Sequence, residues 1–132
     1  MKYISKSEQD TFNIAKKYAE TLQKGDVVVL CGDLGAGKTA FTKGVAAYFN
    51  LSGVVSPTYA YLNVYGDLIY HYDCYRLTSG EDAEALGLTD YFGGDNICII
   101  EWAENIADVL PENLKTVRIT KTENTNERII EL

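Results

Sequence analysis

No apolar run in this sequence is long enough to cross a bilayer: the longest, VVVLC (27–31) and ICII (97–100), have the length of a strand. No repeat, low-complexity tract or Pro-rich linker divides the 132 residues, so one domain spanning 1–132 is expected. Cysteine is scarce. Cys31, Cys74 and Cys98 are odd in number, widely spaced and form no CxxC pair, which argues against a disulfide framework or a zinc site. They read as reduced thiols, and the opening MKYISKSEQD turns polar too soon for a secretory signal, so a cytoplasmic protein is expected. Positive charge is also in short supply: nineteen acidic residues against twelve basic ones give a formal charge of −7. Proteins that grip nucleic acid do so with a basic face that displaces counterions, so no direct sequence-specific nucleic-acid binding is expected. Any role in a nucleic-acid pathway would pass through a partner that makes the contact.

The composition, 46% apolar and 23% charged, is that of a soluble globular protein. Ser7 reads as a helix N-cap, with Glu8 and Asp10 in the first turn, and Phe12, Ala15, Tyr18, Ala19 and Leu22 recur at helical spacing up to a stop at Gly25. DVVVLC (26–31) reads as a strand covered on both faces, and a helix is predicted from Lys38 to Phe49, ending near Asn50. YAYLNVY (59–65) and LIYHYDC (68–74), separated by Gly66-Asp67, predict a hairpin. A short helix follows over 81–86 with Ser79 near its start, then a second buried strand at 97–101, then a closing hairpin of LKTVRIT and ERIIEL. The order points to an α/β fold: a P-loop NTPase domain with a mixed, mostly central sheet, flanking helices and antiparallel hairpins.

The chemistry concentrates in CGDLGAGKTAF (31–41). Gly32 to Thr39 fits G-x-x-x-x-G-K-[ST], a pattern that arises by chance in a chain this long on the order of once in a few hundred. The strand before it and the helix after it are what the mechanism requires. The glycines let the backbone curl so that the N–H groups of Asp33, Leu34, Gly35, Ala36 and Gly37 turn toward phosphate oxygens. Lys38 reaches the β and γ phosphates, and the Thr39 hydroxyl is a Mg²⁺ ligand. Two carboxylates end strands, Asp73 and Glu101. One would hold Mg²⁺ and the other direct the attacking water, and spacing alone leaves the assignment open. In Ser56-Pro57-Thr58 the proline restrains its predecessor to extended backbone, so Thr58 is a candidate switch hydroxyl, the alternative being a plain turn.

GDLGAGKT, SPTY (56–59), HYDCYRL (71–77), GLTDYF (87–92) and IEWAE (100–104) together resemble the bacterial TsaE family. The resemblance runs from the first helix to Pro111 and is loose over the last twenty residues. It implies binding of ATP with Mg²⁺, slow intrinsic hydrolysis, and service as accessory ATPase to the TsaB–TsaD complex. That complex places threonylcarbamoyl on the adenosine beside the anticodon of tRNAs reading ANN codons. The resemblance puts Lys38 on phosphates, Thr39 and Glu101 on Mg²⁺, and Asp73 in the role of catalytic carboxylate. Thr58 then falls in the switch-like loop, and Trp102 sits beside the metal acid at the nucleotide. The chain departs from the family at Ala40, where many members carry a second hydroxyl.

Other residues stay open. His71 shares a strand face with Asp73 and reads first as a hydrogen-bonded structural histidine. Arg76 reads as a phosphate or partner contact, or as half of an ion pair. Six of the ten tyrosines lie between 59 and 75, and Tyr59, Tyr61 and Tyr65 would share one strand face, for cross-strand packing or for docking a partner. Two other functions share the loop. A small-molecule kinase would need a cationic lid that the tyrosine-rich middle does not supply. A GTPase-like switch would read guanine through an [NT]KxD signature, and Thr120-Lys121-Thr122-Glu123 is similar to it but ends in the longer acid, so it reads as a charged turn. Arg128 and residues 7–11 are the candidates for the adenine side.

Overall fold

ICIIE is the most thoroughly buried stretch of the chain: every residue of β5 (Ile97–Glu101) is inaccessible to solvent. An apolar strand without alternation needs neighbours on both edges and cover on both faces, and β5 has parallel partners on each side, β2 (Val27–Gly32) and β4 (Ile69–Asp73). The computed structural model describes residues 1–57 and 60–132. Its seven strands, completed by β1 (Lys2–Ser5), β3 (Leu62–Tyr65), β6 (Lys115–Lys121) and β7 (Arg128–Glu131), form one mixed sheet in the order β1-β7-β6-β2-β5-β4-β3. This is the α/β architecture expected from the sequence, with helices flanking a sheet that carries antiparallel pairs. Among the described residues no helix is long and apolar enough to cross a membrane.

The chain folds as two compact units, Met1–Leu22 with Cys31–Ser56 and Thr116–Leu132, and Gln23–Leu30 with Pro57–Lys115. In the first, α1 (Glu8–Tyr18) begins where predicted. Ser7 is extended and its hydroxyl accepts from the Asp10 N–H at 3.0 Å, while the Asp10 carboxylate accepts from the Lys6 N–H, one residue before the cap, at 2.9 Å. α2 (Lys38–Tyr48) stops at Asn50, which is left-handed (φ 60°). Leu51 N–H returns to the Ala46 carbonyl and Asn50 N–H to that of Ala47, satisfying acceptors that the helix end would otherwise leave bare. The two helices lie close because position 44 is glycine: a Cβ there would sit 2.3 Å from the Phe12 carbonyl oxygen. Any side chain at 44 would therefore push α1 away from α2.

The sequence did not announce β1. KYIS is mostly exposed and is held as an edge strand by antiparallel pairing to β7, with Tyr3 opposite Ile130. The closing hairpin of β6 and β7 falls where predicted.

In the second unit, Gly66 and Asp67 both have positive φ, 59° and 52°, and the Leu68 N–H bonds the Tyr65 carbonyl at 3.1 Å, so the β3–β4 hairpin closes through a tight turn with residues 66–68 between the paired Tyr65 and Ile69. β3 begins at Leu62, later than expected. Tyr61 precedes it in left-handed backbone (φ 47°), outside the strand that holds Tyr65, and Tyr59 lies outside the described residues. Behind the sheet, Tyr72, Cys74, Leu77, Ala83, Leu88, Cys98, Ile100 and Ile106 make a continuous core. The Tyr72 hydroxyl is satisfied within it by donating to the Leu88 carbonyl at 2.8 Å. α3 (Gly80–Ala85) is capped by Ser79, and the Gly80 N–H donates to Asp108 in the 3₁₀ stretch Ala103–Val109.

Candidate functional site

Each unit carries half of the predicted chemistry. In the first, β2 runs into the loop Gly32–Gly37, and α2 starts at Lys38. Gly32 packs so tightly that a Cβ would lie 2.9 Å from the Ile119 carbonyl oxygen, which only glycine avoids. Gly35 (φ 79°) and Gly37 (φ 110°) take left-handed backbone, the conformation that lets the chain fold back into a cradle. Gly37 caps α2 and its carbonyl accepts the first helical bond, from Phe41 N–H at 3.0 Å. The first turn of α2 contains no acidic residue, so none of its own side chains offsets the positive end of the helix. Lys38 is only 8% exposed, unusual for a lysine at a helix start. Leu34, at the tip, is fully in solvent, whereas Ala36 is buried. Asp33 through Thr39 thus form one continuous loop-and-helix segment, and Ala40 next to them offers no second hydroxyl. A cleft of about 680 Å³ on this unit, lined by Tyr3, Ile14, Tyr18 and Leu132 among others, shares no residue with the loop.

In the second unit the parallel register sets Asp73 opposite Glu101, at the carboxyl ends of β4 and β5. Ligands of open parallel sheets bind at that end of the strands. Both acids are nearly inaccessible, at 6% and 5% exposed, which is rare for carboxylates without a specific duty or partner. Asp73 Oδ1 accepts from the Tyr75 N–H at 2.9 Å. His71, fully buried and on the same face of β4 as Asp73, brings Nε2 to 2.5 Å from Glu101 Oε2. His71 is thus hydrogen-bonded, and its partner is the candidate metal acid itself. Its Nδ1 is buried with no hydrogen-bond partner among the described residues.

Trp102 follows Glu101 in left-handed backbone (φ 57°, ψ 39°) and meets the Tyr75 ring edge-on, centroids 5.0 Å apart. Asn105, which the sequence reading passed over, donates to the carbonyls of Cys74 and Tyr75 at 3.0 and 3.2 Å and so fixes the turn after Asp73. Only the NxxD-like clutter of a short polar stretch surrounds it in sequence, so nothing local signalled this role. Arg76 lies over the Tyr61 ring at 4.4 Å, a cation–π contact. Thr58 lies outside the described residues.

Cys74 and Cys98 are buried and form no disulfide among the described residues. Burial pushes the Cys74 thiol up to about 12, with the Asp73 and Glu104 charges adding to it, and burial pushes Cys98 up to about 11. Both shifts disfavour the thiolate, the form in which a cysteine attacks. No cluster of three or more His, Cys, Asp or Glu that could hold a metal occurs among the described residues. The buried carboxylates at the ends of β4 and β5 are oxygen donors of the kind magnesium takes, an ion that accepts one or two protein oxygens and keeps the rest as phosphate and water.

The model of the family described as "Threonylcarbamoyl adenosine biosynthesis protein TsaE" matches residues 5–130. The tRNA threonylcarbamoyladenosine biosynthesis protein TsaE of Haemophilus influenzae is 44% identical over 114 residues, covering 80% of this chain and 72% of the relative. The TsaE protein of Treponema pallidum is 40% identical over 132 residues and 98% of both chains. The crystal structure of Bacillus subtilis YdiB superposes with a TM-score of 0.83 at 37% identity, covering 98% of this chain and 82% of that one. Matched over nearly its whole length in sequence and in fold, the chain belongs to the TsaE family of tRNA threonylcarbamoyladenosine biosynthesis.

Proposed function

We propose that this chain is a Mg-ATP-binding ATPase, slow by itself, that acts in the cytoplasm as accessory subunit of a TsaB–TsaD complex. The observation that carries the reading is the Gly32–Gly37 cradle, with left-handed Gly35 and Gly37 opening α2 at a buried lysine. In this reading the loop amides and Lys38 hold the phosphates, with Thr39 and Glu101 as the magnesium ligands. Bound magnesium would neutralise charge that develops on the phosphate oxygens. Asp73 orients the attacking water and accepts its proton, and Trp102 flanks the nucleotide. The membership in a tRNA-modification family, combined with an acidic surface, supports action through protein partners and not through a direct grip on tRNA.

Phosphate release from ATP, measured for the purified chain alone and with purified TsaB and TsaD, tests this. A weak rate alone that changes when the partners are added is expected. A rate indifferent to the partners, or none in either setting, would count against the accessory-ATPase reading.

A further inference from the structure

A loop that turns its N–H groups inward to hold phosphates must turn its carbonyls outward, where neither helix nor sheet supplies donors. Here three consecutive carbonyls are met by two cations from the C-terminal hairpin. Lys121 Nζ, at the end of β6, donates to the Leu34 carbonyl at 2.8 Å. Arg128, the first residue of β7, donates from Nη2 to Gly35 at 3.2 Å and from Nε to Ala36 at 3.0 Å. Its remaining nitrogen, Nη1, donates to Thr125 and Glu127, both at 2.8 Å. One guanidinium therefore ties the turn between β6 and β7 to the back of the loop, using the fork geometry that only arginine offers. The Lys121 ammonium also lies 3.4 Å from where a Cβ on Gly35 would be, so its stem covers the loop at its left-handed residue. The turn is itself ordered, with Asn124 N–H bonded to Thr122 Oγ1 at 3.1 Å and Glu127 N–H to the Asn124 carbonyl at 3.0 Å.

We infer that Arg128 and Lys121 are positioning residues that hold the phosphate loop in its binding shape before nucleotide arrives, which makes the C-terminal hairpin part of the nucleotide site. The inference rests on the ATP reading above, but the brace itself is a property of the nucleotide-free protein. Holding the loop in advance removes the ordering cost from the binding step. Two cations behind the carbonyls also keep the field at the loop favourable to an anion. The part of the sequence that read as a charged turn, Thr120 to Glu123, thus works through its lysine on the loop's backbone.

The test is amide hydrogen exchange across residues 32–39 in nucleotide-free wild type, R128M, R128K and K121M, alongside melting temperature and ATP affinity for each. Lys121 is exposed, so K121M keeps the question answerable if R128M folds poorly. Loop exchange about tenfold faster in R128M and K121M is expected, with little change in melting temperature. ATP affinity should fall roughly tenfold, and R128K, which keeps the charge but not the planar fork that spans Gly35 and Ala36, should recover part of the loss. Unchanged loop exchange in folded variants would overturn the brace, even if affinity fell, because that pattern means direct contact with ligand. Faster loop exchange in a protein whose wild type binds no ATP would uphold the brace and sink the ATP reading instead.

Discussion

Lys38→Ala is expected to weaken ATP binding by about 100-fold while leaving the fold intact. A charge-assisted hydrogen bond is worth about 1.5–3 kcal/mol, and a lysine serving two phosphates stands at the upper end of that range. At about 1.4 kcal/mol per tenfold change, the loss corresponds to roughly two orders of magnitude. Lys38 is 8% exposed, so solvent screening discounts this little. The folded state should not suffer in proportion, because burying an ammonium opposes folding and its removal relieves that cost. Isothermal titration of ATP into wild type and K38A, with thermal melts of both, checks the two halves of the expectation. A tenfold or smaller loss of affinity would move the phosphate contact away from Lys38.

The second large effect is expected at the strand ends. Asp73→Asn removes a proton acceptor and keeps the shape and the Tyr75 hydrogen bond, so turnover should fall about 100-fold or more with ATP affinity within a few-fold of wild type. Glu101→Gln removes charge where magnesium would be held. It should lower turnover by a similar factor and also blunt the dependence of binding on magnesium, which Asp73→Asn should not do. His71 complicates only the second variant: its Nε2 is hydrogen-bonded to Glu101, and a glutamine, carrying both an amide oxygen and an amide N–H, keeps a partner for it whichever atom donates. Steady-state phosphate release and magnesium titrations of binding separate the two roles. Asp73→Asn abolishing binding while Glu101→Gln spares turnover would reverse the assignment.

Much of this was legible because it is local. The loop depends on the glycine spacing from Gly32 to Gly37 and on the strand and helix beside it, all within about a dozen residues. Ser7, Ser79 and Asn50 announced helix ends through chemistry that acts across three or four residues. Asp73 and Glu101 were visible because an acid closing an apolar run stands out. What escaped the reading needs chain neighbours that are far apart in sequence. β1 is a mostly exposed edge strand whose identity comes from β7, and no periodicity in KYIS could show that. The His71–Glu101 bond joins two strands, and Asn105 acts on a turn thirty residues earlier. Lys121 and Arg128 reach loop carbonyls 87 to 93 residues away. Tyr61 shows the opposite failure: alternation placed it in a strand, but its left-handed backbone lets the chain turn into β3 and leaves its ring for Arg76.

The claim on which the rest depends is that the loop of residues 32–39 binds Mg-ATP. Calorimetric titration of ATP into the purified wild-type chain, once with magnesium and once with a chelator, measures it directly. Saturable one-site binding that weakens when magnesium is removed is the expected result. Heat indistinguishable from dilution under both conditions would contradict the account, and the cradle would then be a fold feature without its ligand.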